Sequence, residues 1–213
     1  MKFLNLDRVL CLSAHPDDTE YGILGSMMKF QDTQFDIVVL SNGGDFDESS
    51  GFNRERECTE IWNELSNVDG IFAHKTYVKD TSEDDWVNYI EQSYNIGAGM
   101  VKSDYDCILT TPKEDSHFEH RMVNNIAYAL VRASDCGIVT YKTPSTLENW
   151  IPNFHVRVDD IIERKVELLQ KFESQIKKLY FGKDSIFDFH TNYICSKVGA
   201  GYVESFRVER VYG

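Results

Sequence analysis

Short apolar runs alternate along the chain with longer stretches in which apolar residues recur every three or four positions. The short runs are typical of buried strands, and the longer spacing is typical of helices that cover a sheet. The predicted strands occupy residues 9–12, 35–40, 71–74 with 77–78, 105–110, 137–141, 154–158 and 202–208. The predicted helices occupy residues 20–30, a stretch from 53, a stretch from 81 or 82, 121–133 and 161–179. This alternation predicts an α/β fold with a mostly parallel, helix-covered sheet.

Polar residues mark the boundaries of several elements. Thr81 or Ser82 stands before three acidic residues, which is the signature of a helix start. Asp159 is expected to cap the helix at 161–179. The remaining expectations are loops at 46–53 and 184–192 and a closing strand at 202–208 that lies at an edge of the sheet.

The composition fits one globular domain that spans residues 1–213. Hydrophobic residues make up 42% of the chain and charged residues 27%, which is enough apolar material to bury a core. Sheets flanked by helices commonly reach this length as a single unit. The sequence contains no internal repeat and no linker-like tract that would divide it.

The strong acidic charge argues against two classes of partner. The formal net charge is −13, whereas nucleic acids and anionic membrane surfaces attract basic patches. No apolar run reaches the ~18 residues that a membrane span needs. The five cysteines form no C-x-x-C pair, which favours a reducing, cytoplasmic compartment. No feature of the sequence predicts the oligomeric state.

Residues with catalytic potential follow the first predicted strand. His15, Asp17 and Asp18 stand where open α/β sheets place their ligands, at the carboxyl end of a strand. Histidine and aspartate are both ligands of zinc and similar divalent ions. We expect one aspartate to be a ligand and the other a base. A surface turn in which an aspartate caps the next helix explains the same residues.

A second cluster follows the strand at 105–110 and favours the metal site. His117 and His120 are three positions apart at the start of a predicted helix, so they can face the same side of its first turn. Two histidines and one carboxylate leave positions open for water, as in catalytic rather than structural zinc sites. A third loop, with Gly43, Gly44 and Asp45, follows the second strand. The glycines would let the backbone approach a ligand closely, but a plain glycine-rich turn explains that loop, taken alone, better than a binding site does.

Both clusters belong to one recognisable pattern. The run A-H-P-D-D-T-E at 14–20, with Gly22 and Gly25 after it, resembles the signature of the PIG-L/LmbE-type deacetylases. The run D-S-H-F-E-H at 115–120 resembles their second motif. Weaker similarities follow, in order, at Arg54 and Glu57, at 150–153, at Lys165 with 173–175, and at 202–206. The resemblance therefore extends over nearly the whole chain.

The resemblance implies a Rossmann-like three-layer fold and zinc-dependent removal of an N-acetyl group, usually from an N-acetylglucosamine unit. By position, the metal ligands would be His15, Asp18 and His120. Asp17 would be the general base. His117 would steady the oxyanion or protonate the leaving amine. The partner would be a small N-acetylated sugar or sugar conjugate.

The resemblance places Arg54, and less securely Asp45, in the substrate pocket. The family commonly has Pro-Asp between the histidines of its second motif, whereas this chain has Phe118 and Glu119. Glutamate keeps the carboxylate on a longer arm, so its contact with a ligand histidine is expected to change. These departures bear on the substrate rather than on the reaction.

Three alternatives remain open from the sequence. The enzyme could act on another N-acyl compound or a thiol conjugate, and iron, cobalt or manganese could take the place of zinc. The chain could also be a sugar-binding module that keeps the pocket without turnover. The presence of Asp17 argues against a module of that kind, because binding alone needs no base.

Overall fold

A computed structural model describes residues 2–44, 48–96, 103–132 and 134–211. The strands in this part of the chain are β1 (Arg8–Ser13), β2 (Gln34–Ser41), β3 (Val68–Lys75), β4 (Cys107–Thr110), β5 (Gly137–Tyr141), β6 (Phe154–Arg157) and β7 (Val203–Arg210). The α-helices are α1 (Asp18–Lys29), α2 (Glu48–Trp62), α3 (Glu83–Tyr94), α4 (Phe118–Leu130), α5 (Ile162–Leu169), α6 (Lys183–Phe189) and α7 (Tyr193–Val198). No helix among these residues is both long enough and apolar enough to cross a bilayer.

The strands form one sheet in the order β3-β2-β1-β4-β5-β7-β6. Neighbouring strands from β3 to β5 are parallel, and β7 is antiparallel to both of its neighbours. The predicted α/β fold with a mostly parallel sheet is therefore confirmed. The chain order reverses between β1 and β4. The crevice at their carboxyl ends is the place where open sheets of this kind bind ligands.

Both faces of the sheet are covered, which explains the continuous apolar character of its strands. Val9 and Cys11 of β1 pack into one core with α1, α2 and α5. Leu10 and Leu12 of the same strand pack into a second core with α3 and α4. Side chains of a strand point alternately to its two faces, so every position of β1 after Arg8 is buried. The arrangement has three layers.

Helix α1 lies directly against β5 and β7 because two of its residues are glycines. A Cβ atom at Gly22 would lie 2.6 Å from the ring of Tyr141, and one at Gly25 would lie 2.7 Å from Oε1 of Glu204. Any larger residue at either position would force the helix away from the sheet.

A buried ionic network fixes α1 against β7 and α5. The Glu204 carboxylate accepts hydrogen bonds from the backbone N–H groups of Gly25 and Ser26, each at 2.7 Å. It also accepts one from Nζ of Lys165, again at 2.7 Å. Both Lys165 and Glu204 are buried, and Lys165 Nζ lies 2.7 Å from Nε2 of His190. The desolvation cost of this pair is compensated only while all its partners are present.

The C-terminal part of the chain differs most from the sequence prediction. The helix predicted at 161–179 ends at Leu169, and two 3₁₀ turns follow at Glu173–Gln175 and Leu179–Phe181. After Leu169 the N–H groups of Lys171 and Phe172 donate to carbonyls three residues back, and the Glu57 carboxylate then accepts hydrogen bonds from both the N–H and the hydroxyl of Ser174. Asp159 does not cap α5. Its carboxylate instead accepts the N–H groups of residues 201 and 202.

Four other boundaries also differ from the prediction. Helix α2 begins at Glu48, so residues 48–53 are helical rather than loop. Residues 77–78 precede and open a 3₁₀ turn, Val78–Asp80, instead of forming a strand. The range 184–192, predicted as a loop, contains most of α6. Strand β7 lies inside the sheet, and the edge strands are β3 and β6.

We expect the substitution Glu204→Gln to lower the free energy of unfolding by about 3 kcal/mol, because it leaves Lys165 charged and buried without a counter-ion. The double variant Glu204→Leu/Lys165→Met removes both charges, so its free energy of unfolding should fall by less than that of Glu204→Gln alone. Urea unfolding of the wild type and both variants measures these differences. A change below ~0.5 kcal/mol in Glu204→Gln, the range typical of surface positions, would contradict this account.

Candidate metal centre and active site

The two predicted clusters meet at the crevice between β1 and β4. His15 follows β1, and α1 begins three residues later at Asp18. His117 is the residue before α4, and His120 lies in the first turn of that helix. Because β1 and β4 are parallel neighbours, their carboxyl ends bring these loops together. The structure thus places all four of these residues at one site.

Asp18 bridges two of the histidines. Its Oδ2 atom lies 3.3 Å from Nδ1 of His15, and its Oδ1 atom lies 3.2 Å from Nε2 of His120. All three side chains are buried. Burial opposes ionisation of Asp18, but the neighbouring His120 and His15 hold its pKa well below the usual range. Burial likewise opposes protonation of His120, yet Asp18 and Asp115 raise the pKa of His120 to about 10.

These atoms have the spacing that a divalent ion requires. Zinc binds histidine nitrogen and carboxylate oxygen at about 2.0–2.1 Å, so the edge of a tetrahedral site is about 3.4 Å long. The separations of 3.2 and 3.3 Å about Asp18 match that edge. His15, His117 and His120 can also each offer a nitrogen within 4.8 Å of the others. The donor set of imidazoles and a carboxylate fits zinc or another divalent metal.

His117 borders the site on its open side. Its ring centroid lies 4.7 Å from that of His15 and 4.6 Å from that of His120. Its ring makes no hydrogen bond with the described residues, and the side chain is exposed. Partial desolvation of the imidazole by the residues around it, together with the nearby His15 and His120, lowers the pKa of His117 to about 4. The imidazole is therefore neutral near pH 7 and can donate one hydrogen bond.

Two outer carboxylates orient the buried histidines. Glu119 Oε2 lies 2.8 Å from Nε2 of His15, while its Oε1 accepts the backbone N–H of Lys79. Asp115 Oδ2 lies 3.1 Å from Nδ1 of His120 and accepts the hydroxyl hydrogen of Thr143. Each carboxylate binds the ring nitrogen that faces away from Asp18. Contacts of this kind fix the tautomer and the orientation of metal-binding histidines. The longer arm of Glu119 reaches its histidine because the Lys79 N–H holds it.

Asp17 lies beside this centre and pairs with Arg54. The Arg54 guanidinium donates from Nη2 to Asp17 Oδ2 at 2.7 Å and from Nη1 to the Gly43 carbonyl at 3.1 Å. Burial raises the pKa of Asp17, and Arg54 partly opposes that rise. Gly43 has φ of +70°, and a Cβ atom there would lie 2.1 Å from Arg54 Nη1. Only glycine therefore fits beside this arginine.

The backbone at Asp17 is strained, with φ of +128° for a residue that is not glycine. Its N–H donates to Glu20 Oε2 at 3.2 Å, and Trp62 Nε1 donates to Glu20 Oε1 at 2.6 Å. Burial raises the pKa of Glu20 to about 7. Strained backbone of this kind persists only where its surroundings hold it, and it is concentrated at functional sites.

A cavity of about 390 Å³ opens above these residues. It is lined by His15, Asp17, Asp18, Tyr21, Gly43, Arg54, Ser116, His117, His120, Pro144, Ser145, Lys178, Tyr180 and Phe181. Six of the seven predicted site residues are in this set, and the seventh, Asp45, lies outside the described residues. The sequence prediction missed Tyr21, Ser145, Lys178 and Tyr180. The last two were assigned to a continuous helix or its end, and no motif marked the others.

The fold is of the Rossmann-like type, and a candidate metal centre lies at the carboxyl ends of β1 and β4. A model of the family "PIG-L: GlcNAc-PI de-N-acetylase" matches residues 10–131, more than half of the chain. The protein belongs to this family. The match includes β1, α1 and both histidine clusters. A comparison with curated protein sequences finds no significant match.

Solved structures share the fold at low sequence identity. The N,N'-diacetylchitobiose deacetylase from Pyrococcus horikoshii, in complex with its inhibitor MPG, aligns with a TM-score of 0.74 and 20% identity over 97% of this chain and 85% of that one. The conserved protein TT1542 from Thermus thermophilus aligns with a TM-score of 0.73 and 18% identity, over 98% of this chain and 96% of that one. GalB, the 4-carboxy-2-hydroxymuconate hydratase from Pseudomonas putida KT2440, aligns with a TM-score of 0.71 and 14% identity, over 100% of this chain and 99% of that one. The reaction therefore has to be argued from the site.

We expect Asp115→Asn to weaken the binding of a divalent metal by about 10- to 100-fold, because an amide no longer fixes Nδ1 of His120 as a donor. A competition titration with a chromophoric chelator measures this affinity. Glu114→Gln is the matched control, since the Glu114 carboxylate binds Arg207 rather than a histidine. Equal affinity in the two variants would contradict the orienting role of Asp115.

Proposed function

We propose that the protein is a zinc-dependent N-deacetylase that hydrolyses the N-acetyl group of a small amino sugar or sugar conjugate. The observation that carries the proposal is the bridge from Asp18 to His15 and His120, with the buried carboxylate of Asp17 beside it. Family membership and the deacetylases among the structural neighbours support the same reaction.

His15, Asp18 and His120 would hold the metal, with His117 at the open side. Asp18 is preferred to His117 as the third ligand because its oxygens already lie at the edge length of a tetrahedral site. A bound divalent ion would lower the pKa of water toward ~7 and polarise the acetyl carbonyl. Zinc fits these donors, and iron, cobalt and manganese remain alternatives.

The residues around the centre supply the proton transfers that amide hydrolysis needs. Asp17 accepts a proton from the attacking water, and Arg54 keeps its carboxylate aimed into the cavity. The raised pKa of Asp17 makes it a stronger base than an exposed aspartate. His117 donates a hydrogen bond to the negative oxygen of the tetrahedral intermediate. Asp17 then passes its proton to the leaving nitrogen, a role that the low pKa of His117 favours over donation from that imidazole.

This arrangement assigns Arg54 a different task from direct substrate binding. Two of its nitrogens are committed to Asp17 and Gly43, and the side chain is buried. Its main effect is therefore on the position and charge of the base. Asp45 stays a predicted neighbour of the substrate. We also propose that the chain forms a single domain and is located in the cytoplasm. Its partner would be a small molecule rather than a nucleic acid.

The proposal is tested by acetate release from the zinc-loaded protein. The panel contains N-acetylglucosamine, its glycoside and nucleotide conjugates, thiol-bearing glycosides and N-acetyl amino acids. Release from one class of sugar supports the proposal. Release only from amino acids or thiol conjugates would identify an amidase of another specificity, and no release from any compound by the zinc-loaded protein would favour the binding module.

We expect Asp17→Asn to retain zinc and to lower kcat by about 10²- to 10⁴-fold, the usual contribution of a general base. Metal analysis and acetate release on the same preparation measure both properties. Asp84→Asn, an exposed substitution in α3, is the control. Turnover near the wild-type rate in Asp17→Asn would remove Asp17 from the role of base.

A further inference from the structure

One face of helix α2 contacts the loop that carries Asp17 at three points. Arg54, Cys58 and Trp62 are four positions apart, so they lie along the same side of the helix, and all three are buried. The Arg54 guanidinium donates to the Asp17 carboxylate at 2.7 Å. Trp62 Nε1 donates to Glu20 Oε1 at 2.6 Å, and the Cys58 thiol contacts the same Glu20 carboxylate. The helix therefore reaches both Asp17 and Glu20.

Glu20 joins this face of α2 to the backbone of Asp17. Its Oε2 atom accepts the N–H of Asp17 at 3.2 Å, while its Oε1 atom accepts the indole hydrogen of Trp62. The Glu20 side chain is buried, which shields both hydrogen bonds from competition with water. Asp17 is thus held at two points, its carboxylate by Arg54 and its backbone by Glu20.

The second point matters because the backbone of Asp17 is strained. Its φ of +128° lies outside the regions that a residue with a Cβ atom readily adopts. Strained backbone of this kind persists only where neighbouring groups hold it. Rotation about the N–Cα bond turns the N–H relative to the side chain. If φ relaxed, the N–H could not stay on Glu20 while the carboxylate stayed on Arg54.

We propose that Glu20 is a positioning residue for the base, and that with Trp62 it holds the Asp17 backbone so that the carboxylate is aimed into the cavity. This inference rests on the proposed function and adds a residue to it. Both Glu20 oxygens accept from N–H groups, so a carboxylate satisfies both donors at once. A side-chain amide would turn its own NH₂ group toward one of them and leave that donor unpaired. Glu20 is not among the described residues that line the cavity, so its effect passes through Asp17.

The variant Glu20→Gln tests this role because it keeps the shape of the side chain. We expect kcat for acetate release to fall about 10- to 100-fold, since a displaced base loses its alignment. KM and zinc affinity should keep their wild-type values, because Glu20 bonds to the backbone of the base rather than to the side chain of a proposed ligand. Glu60→Gln, an exposed substitution in α2, is the matched control and should keep the wild-type kcat.

A second substitution distinguishes positioning from a general loss of stability. In Glu20→Gln/Trp62→Phe the indole donor is removed, so the amide oxygen can accept the Asp17 N–H while the NH₂ group faces a ring. We expect the double variant to have a higher kcat than Glu20→Gln, although it has lost one more buried contact and should unfold at a lower urea concentration. A kcat no higher than that of Glu20→Gln would overturn the proposal. A fall in zinc affinity as large as the fall in kcat would also overturn it.

NMR of the protein without substrate separates this inference from the proposed function. The amide proton of Asp17 and the indole proton of Trp62 both bind Glu20, so at least one resonance should move upfield in Glu20→Gln. Two unchanged resonances would overturn the positioning role. Absence of acetate release by the wild type from every compound in the panel would contradict the proposed function. Release by the wild type together with a full rate in Glu20→Gln would contradict the positioning role alone.

Discussion

The position of α1 is the constraint on which the site depends. Asp18 is the first residue of that helix, and its carboxylate reaches His15 in the loop after β1 and His120 in the first turn of α4. Two glycines let the helix lie against the sheet, and the Glu204 carboxylate accepts a hydrogen bond from the backbone of the helix at Gly25. Because the same helix carries Asp17 at its start, a small shift of the helix would move both carboxylates together. The buried ionic network therefore has a functional consequence although it does not touch the cavity.

Charge balance explains why the site pairs an arginine with its base. Asp17 and Asp18 are adjacent, buried and both close to the cavity, so without cations each would oppose ionisation of the other. Arg54 compensates Asp17, and a divalent ion at the histidines would compensate Asp18. Each carboxylate then has its own counter-charge. This division leaves Asp17 more basic than an exposed aspartate, as its proposed role of general base requires.

The sequence predicted the structural features that depend on residues close together in the chain. It missed the features that depend on contacts between residues far apart in the chain. The strands β1 and β2, their parallel pairing and the convergence of His15, Asp18 and His120 follow from apolar runs and from motifs at strand ends. The segment after Leu169 keeps helical spacing in sequence, but in the structure it forms 3₁₀ turns, and Glu57 in α2 accepts the N–H of Ser174. No local pattern reveals a partner 117 residues away. The lining residues Lys178 and Tyr180 were missed for the same reason.

Reaction and specificity have separate structural origins in this molecule. The metal centre stands on the ends of buried strands, where parallel pairing fixes the loops to within narrow limits. Other residues that line the cavity lie on the 3₁₀ turns after α5, on the loop after β5 and just before α4, where few motifs constrain the sequence. A neighbour that is a hydratase shows that one fold accommodates another reaction, so the scaffold alone assigns none. The chemistry proposed for this protein therefore depends on the pairing of Asp17 with Arg54 beside two histidines, and its choice of substrate on the residues that line the rest of the cavity.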